Sequence, residues 1–241
     1  RSLDHLSHLG FESSVEAWNY RTAIGIRGPL MSAFAGRFGR ERGMAMYADW
    51  TDRIAAGEVP PAPARPSGIE RNVVLTLWDW GNESSYIHDE ITTDKRNPTL
   101  NAGGKVYGVD GGHGTLVELD TTTNEFRTIE IAVSDNADNP AVTRFAQEFP
   151  VESVFYGDEA LWSGPADPHN PMFDEMGRIW MTTKVRGNLL PEWCQEGSSN
   201  KYAQYYPTRG SSRQASYYDL ETESFGLIDT CFGTHHLQFA D

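Results

Sequence analysis

The chain has 241 residues, of which 39% are hydrophobic and 12% aromatic, enough apolar material for a folded core, which excludes wholesale disorder. Its 34 acidic and 20 basic residues give a net charge of −14, so a nucleic-acid backbone would be repelled on average. No apolar run approaches the roughly 20 residues that cross a bilayer. We therefore expect a folded protein without a nucleic-acid partner and without a membrane span.

Residues 1–58 carry helical signals. Ser13 and Glu16 have the spacing of a capping box and are followed by an amphipathic stretch. A second short helix is predicted around 30–38 and a third over 44–56, with Gly57 at the position of a C-terminal glycine. This part of the sequence predicts a small helical segment.

The helical segment is followed by a proline-rich linker at 59–68. Four prolines lie between Pro60 and Pro66, and such a run favours extended backbone and cannot continue a helix. The linker separates the helical segment from the remaining residues, 69–241.

Residues 69–241 have the pattern of an all-β fold. Runs of β-branched, apolar and aromatic residues bounded by turn residues predict strands at 73–78, 105–109, 116–120, 126–133, 178–183, 214–219 and 225–228. No long helical pattern interrupts them.

An internal repeat organises these strands. Residues 97–107 align without a gap with 170–180, and residues 119–126 match 218–225. Each copy predicts a four-stranded antiparallel meander, and 235–239 resemble the opening of a third. Recurring meanders favour a partial β-propeller of about two blades plus the start of a third. A β-sandwich with two similar hairpins is the alternative.

Residues 68–241 also resemble a known group of bacterial proteins. The segments DKRNPTLNAGGKVYG, HNPMFDEMGRIWMT and DTCFGTHHLQFAD are similar to bacterial proteins labelled virginiamycin B lyase-like (streptogramin lyase-like) or carboxypeptidase-regulatory-like, over most of 68–241. The resemblance implies a β-propeller that is periplasmic or secreted and acts as a metal-assisted carbon–oxygen lyase. Because a propeller closes with at least about four blades, we expect the chain to be a fragment of a longer protein.

The helical segment has a resemblance of its own. The strings SSVEAW and WTDRIAAGE are similar to the tail of a cytochrome c-like domain. The chain has no Cys-x-x-Cys-His motif, so haem is expected only if an upstream domain of the same parent chain supplies it.

One position of the repeat carries candidate catalytic residues. The first strand of a propeller blade lies beside the central channel, and the alignment places His169, the pair His235 and His236, and Arg96 at equivalent positions there. Imidazole is both a metal ligand and a general base near neutral pH. We therefore predict His169, His235 and His236 as catalytic residues. The alternative is that His169 caps a turn and that one residue of the His235–His236 pair is structural.

Carboxylates precede these histidines, among them Asp89, Asp94 and Asp167. A ring of histidines and carboxylates at a channel mouth binds divalent cations, and we predict His169, His235, Asp94 and Asp167 as ligands of Mg²⁺ or another divalent metal. Ordinary turn and cap positions are the alternative for the carboxylates. Cys194 and Cys231 have no metal-binding spacing; in an exported protein we expect them to form a disulfide rather than a reactive thiol pair.

Two functions follow from the sequence. The first is a metal-assisted lyase-like enzyme with a histidine-lined channel, acting on a small molecule or an exported polymer. The second is a non-catalytic propeller that serves as a binding or redox-partner module attached to a cytochrome-like domain. The propeller shape alone does not choose between them, since the scaffold hosts many functions.

Overall fold

The computed structural model describes residues 3–24, 28–73, 77–81, 84–134, 164–187, 191–203 and 213–240. These residues belong to two units, with those up to 73 in the first and those from 77 onwards in the second. Within these ranges, no helix is both long enough and apolar enough to cross a bilayer.

The first unit is helical. A 3-10 turn at Asp4–Leu9 precedes α1 (Ser14–Arg21), α2 (Gly28–Arg37) and α3 (Arg40–Ala55). The predicted cap of α1 is confirmed, because the Ser13 hydroxyl accepts a hydrogen bond from the Glu16 amide at 3.2 Å. Gly57 has a φ of 80°, which confirms the predicted glycine after the third helix.

The stretch after α3 is irregular. Residues 58–67 are exposed and have no regular secondary structure, and a short 3-10 helix follows at Gly68–Asn72. The strand predicted at 73–78 is wrong where it is described: Val73, Leu77 and Trp78 are exposed and outside any strand. Residues 74–76 lie outside the described residues. A run with high β propensity forms a strand only when another strand pairs with it, and these described residues have no such pairing.

The described residues of the second unit form two four-stranded antiparallel sheets, each connected as a meander. The first contains β1 (Ile87–Ile91), β2 (Val106–Asp110), β3 (Thr115–Asp120) and β4 (Glu125–Glu130). The second contains β5 (His169–Phe173), β6 (Ile179–Thr183), β7 (Gln214–Asp219) and β8 (Ser224–Ile228). The predicted meander is therefore confirmed in both copies. Because helices make up the first unit, the all-β description applies to the second unit alone.

The register of the last three strands is the same in the two sheets. Val106 pairs with Leu119 as Ile179 pairs with Tyr218, and each β3–β4 or β7–β8 hairpin begins at an aspartate, Asp120 or Asp219. The second aligned pair of segments, 119–126 with 218–225, is thus structurally equivalent.

The first aligned pair is equivalent only at its end, where Val106 and Tyr107 of β2 correspond to Ile179 and Trp180 of β6. Residues 97–100 form a turn between β1 and β2, whereas 170–173 belong to β5. The connection from β1 to β2 runs from 92 to 105 and that from β5 to β6 only from 174 to 178, so the similar Asn-Pro sequences occupy different places. The predicted equivalence of Arg96 with His169 is therefore wrong. In the pairing register the equivalent of His169 is Asp89, since Asp89 pairs with Val109 and His169 with Thr182.

The sheets share one hydrophobic core. Side chains of β2, β3, β5, β6 and β7 form its buried part: Tyr107, Val109, Leu116, Phe173, Ile179, Met181 and Tyr218. The rings of Tyr107 and Phe173 meet edge to face with centroids 5.9 Å apart. This packing fixes β1 and β5 beside each other, and these are the strands that carry the site described next.

A disulfide joins Cys194 to Cys231, and both residues are buried. It fastens the connection between β6 and β7 to the segment that follows β8. Of the two sequence-based alternatives for these cysteines, the structure shows the disulfide.

Candidate functional site

Two adjacent strands bring a histidine and a carboxylate together. The register of β1 shifts between Ile87 and Asp89, and that of β5 shifts between His169 and Met172. Such bulges redirect side chains that would otherwise alternate between the faces of a sheet. As a result His88 and Asp89, although consecutive, both contact His169.

The Asp89 carboxylate is the centre of these contacts. Its Oδ2 atom lies 3.0 Å from Nδ1 of His169 and 3.1 Å from Nδ1 of His88, and it accepts a hydrogen bond from the Asn170 amide at 2.8 Å. The imidazole rings of His88 and His169 have centroids 4.0 Å apart. His169 is 6% exposed, whereas His88 and Asp89 retain about a third of their side-chain exposure, 34% and 33%.

The segment that follows β8 adds two further imidazoles. The rings of His235 and His236 stack with centroids 4.3 Å apart, and those centroids lie 4.6 and 5.2 Å from that of His169. The segment is held against β5 and β6, since Thr182 Oγ1 donates to the His235 carbonyl at 2.9 Å and the Leu237 amide donates to Asn170 Oδ1. The three histidines predicted to converge therefore do lie together, and their catalytic role stays a prediction.

The protonation states of the site suit a cation. Burial, then the neighbouring His88, lowers the pKa of His169 to about 4, against an opposing effect of Asp89. Burial and the adjacent His236 also lower the pKa of His235. Burial would raise the pKa of Asp89, but the Asn170 amide and His88 outweigh it and lower that pKa. Near neutral pH these two imidazoles are neutral and the carboxylate is ionised, which is the state that metal ligation requires.

One ligand atom of the site lacks a hydrogen bond. Nδ1 of His169 is buried and, despite lying 3.0 Å from Asp89, has no hydrogen-bond geometry to any partner among the described residues. Buried polar atoms are nearly always satisfied, so this atom needs an explanation. Two groups containing His169, one with His235 and His236 and one with His88 and Asp89, have ligand atoms within 4.8 Å of one another.

The donor set discriminates between metals. Mg²⁺ prefers oxygen ligands in octahedral geometry, whereas imidazole nitrogens suit zinc, iron, copper and nickel. With four imidazoles and one carboxylate, the cluster suits a transition metal better than the Mg²⁺ named as an example in the sequence-based expectation.

Two predicted ligands lie elsewhere. The Asp94 carboxylate is paired with the Arg96 guanidinium in the β1–β2 connection, at 2.7 Å, and Asp167 is paired with Arg213 at 3.0 Å. The structure brings neither aspartate into either histidine group. Both are buried carboxylates whose arginine partners account for their positions.

His88 is the site residue that sequence reasoning missed. It was overlooked because β1, with the sequence IHDEI, has three polar residues in a row and was not predicted as a strand. The sequence does contain one indication of this part of the site, because Asp89 is a carboxylate that precedes the repeat. Its neighbour His88 joins the site because of the bulge in β1.

A pocket of about 500 Å³ opens beside the cluster. His88 and Asp89 line it together with polar and apolar residues of β1, β5 and the segment after β8. This volume is within the range of small-molecule sites.

Comparison with known proteins adds no family. No protein-family model, no curated protein and no solved structure matches the chain. The resemblance to virginiamycin B lyase-like proteins therefore remains an expectation from the sequence.

Proposed function

We propose that the chain is part of an exported β-propeller protein that binds a divalent transition metal at the histidine cluster and uses it in a lyase-type elimination. The observation that carries the proposal is the buried His169, which contacts three further imidazoles and Asp89 and whose Nδ1 has no hydrogen-bond partner in the described part of the chain.

The propeller part of the proposal is supported by repetition in space. The β1 strand of the first sheet lies beside β5 of the second, and the segment 235–239 lies against β5 through the Leu237 amide and Asn170. Successive first strands arranged in this way are typical of blades around a channel. The Cys194–Cys231 disulfide is compatible with export, since disulfides persist in oxidising compartments.

In the proposed elimination, the metal and the residues of the chain have different roles. A bound divalent metal supplies a Lewis acid for a carbonyl oxygen or for the negative charge of an enolate. The chain holds the cation through neutral imidazoles and the ionised Asp89. His235 is exposed beside the buried His169, and its lowered pKa leaves a neutral imidazole that is suited to accept the proton that an elimination removes from carbon.

The test of this proposal is the metal content of the 241-residue chain purified without added metal. We expect about one equivalent of a transition metal, lost in His169→Ala and retained in His8→Ala. His8 is an exposed histidine of the helical unit and serves as a matched control. A chain that binds no transition metal, even when one is supplied, would refute the proposal and favour the non-catalytic binding module.

A further inference from the structure

We infer that the cation is held primarily by His88, Asp89 and His169, a set of two histidines and one carboxylate, and that its remaining coordination positions face the adjacent pocket, which takes a small organic acid. This inference rests on the proposed function and specifies the ligands and the substrate class of that site.

The distances within this set match a shared cation. The Nδ1 atoms of His88 and His169 lie 3.1 and 3.0 Å from Asp89 Oδ2. When a metal has bonds of about 2.1 Å to nitrogen and oxygen, its neighbouring ligand atoms are about 3 Å apart. Two of the three separations therefore match those of atoms that share a metal ion, and all three ligand atoms lie within 4.8 Å of one another.

The geometry around His169 Nδ1 is more consistent with a bond to a metal ion than with a hydrogen bond to Asp89. Nδ1 of His169 is close to Asp89 Oδ2 but does not have the angle of an N–H···O bond. Oδ2 already accepts the Asn170 amide. A cation between the nitrogen and the oxygen satisfies both atoms, whereas without it the buried nitrogen has no hydrogen-bond partner among the described residues.

The strands make this set the more rigid of the two groups. His88, Asp89 and His169 lie on paired strands, and ligands on such elements are positioned more accurately than ligands on extended segments. His235 and His236 are exposed and lie outside both sheets. Because His169 belongs to both groups, the exposed pair lies beside the set of His88, Asp89 and His169 and is not needed to hold the cation.

The adjacent pocket determines which ligands can reach the free coordination positions of the cation. His88 and Asp89 line it directly, whereas His235 and His236 do not contribute to its lining. Two histidines and one carboxylate leave positions free on a metal that prefers five or six ligands. Those positions face the pocket because two of the three ligands form its wall.

The other walls of the pocket indicate the ligand class. Ile91, Met172 and Leu237 provide apolar surface, Lys95 provides a positive charge, and Glu90 provides a negative charge that the metal and Lys95 together outweigh. A metal and a lysine together attract a carboxylate, and the apolar walls accommodate a hydrocarbon body. The pocket therefore fits a small organic acid with an apolar part.

Cobalt(II) is the probe for the ligand set, because its visible absorption reports both binding and coordination. We expect one equivalent to bind the 241-residue chain. We expect His88→Gln, Asp89→Asn and His169→Gln each to weaken binding by at least about tenfold. Glu130→Gln, which neutralises an exposed carboxylate in β4 of the same sheet, is expected to have no effect. Near-UV circular dichroism checks that each variant is folded.

Phenylacetate is the probe for the pocket. We expect it to shift the cobalt bands of the loaded chain, and we expect Lys95→Met to weaken its binding roughly threefold to tenfold. Lys201→Met, at an exposed lysine of the β6–β7 connection, is the matched control. Unchanged cobalt bands at saturating phenylacetate would overturn the ligand class.

The outcomes separate this inference from the proposed function. Cobalt binding that survives His88→Gln and Asp89→Asn but is lost in His235→Ala and His236→Ala overturns the ligand set and leaves the metal site standing. A wild-type chain that binds no cobalt, zinc or iron(II) overturns both.

Discussion

The two sheets of the second unit have the same register but different first strands. From β2 to β4 and from β6 to β8 the pairings correspond residue by residue, and both hairpins begin at an aspartate. At the matched position of the first strand, however, one sheet has Asp89 and the other His169. Packing constrains the outer three strands of each sheet, while the first strand is where the copies diverge.

This difference explains how a repeated scaffold builds a site of mixed chemistry. Identical first strands would present identical side chains to one another, either two carboxylates that repel or two imidazoles without a carboxylate. Divergence places the acceptor Asp89 3.0 Å from the imidazole of His169. The site therefore belongs to the junction of the two sheets and to neither sheet alone.

The sheets also differ in how their central connection is secured, and this difference gives the largest expected effect. The β2–β3 turn is closed locally, by hydrogen bonds from the Gly112 and His113 amides to Asp110. The β6–β7 connection is fastened by the disulfide, whose cysteines are 37 residues apart. Replacing Cys194 and Cys231 together by alanine is expected to lower the free energy of unfolding by about 3 to 4 kcal/mol.

Urea unfolding measures that loss, and hydrogen exchange locates it. We expect faster exchange in β7 and β8 than in β3 and β4, because only the second sheet loses its covalent constraint. Equal acceleration in both sheets would show that they unfold as one unit and would remove this distinction between them.

The next largest loss of stability is expected from replacing buried carboxylates that are paired with basic side chains. In the first sheet Glu118 is paired with Lys105 at 2.5 Å and with Arg127 at 3.2 Å; in the second, Asp174 accepts hydrogen bonds from Arg178 and Trp180. Glu118→Gln and Asp174→Asn are each expected to cost about 3 kcal/mol, since each leaves buried or half-buried donors without a charged acceptor.

The pH dependence of unfolding provides a second measurement of this effect. Burial opposes ionisation of both carboxylates, but their partners lower both pKa values. A carboxyl group with a lowered pKa stabilises the fold above its unfolded value, near 4, and this stabilisation is lost as the pH falls through the folded value. The two variants should therefore show a smaller loss of stability below pH 4 than the wild type, and an unchanged profile would contradict these pairings.

The sequence predicted the outer strands well and the first strands poorly, for a physical reason. Residues 214–219 have apolar and aromatic side chains bounded by turns, and β7 has those bounds. The β1 sequence IHDEI has little intrinsic β propensity and is a strand because β2 pairs with it. The segment 73–78 has high propensity, yet its described residues have no strand partner. The local sequence pattern thus identified strands such as β7 that contribute to the core. Whether the other segments form strands depends on pairing with a neighbouring strand.

The site residues show the same contrast between local sequence pattern and tertiary contacts. His169, His235 and His236 were identified because two of the positions recur in the repeat, whereas His88 depends on a bulge that no local pattern reveals. Asp94 and Asp167 were chosen for their proximity in sequence to the histidines. Asp94 pairs with Arg96, two residues further along the chain, whereas Asp167 pairs with Arg213 in a long-range contact that local spacing does not reveal.

A smaller effect is expected from protonation of His169 in the metal-free chain. Its pKa of about 4 lies below the ordinary value of 6.5, so the unfolded chain binds more protons between these values. Stability should therefore fall as the pH decreases, by about 2 kcal/mol between pH 7 and pH 5. Urea unfolding in a chelator, compared between the wild type and His169→Gln, tests this; the same pH slope in both would contradict it.

The smallest expected effect tests the likeness of the two sheets. Asp120 Oδ1 accepts from the Thr122 amide at 2.8 Å, and Asp219 Oδ1 accepts from the Glu221 amide at 3.0 Å. Asp120→Ala and Asp219→Ala are each expected to lower the free energy of unfolding only slightly, because each removes one turn-closing acceptor on the protein surface. Because the turns are exposed and distant in register from the first strands, the two losses should be equal within the error of urea unfolding and should leave cobalt binding unchanged. Unequal losses would show that the sheets differ beyond their first strands and the β6–β7 connection.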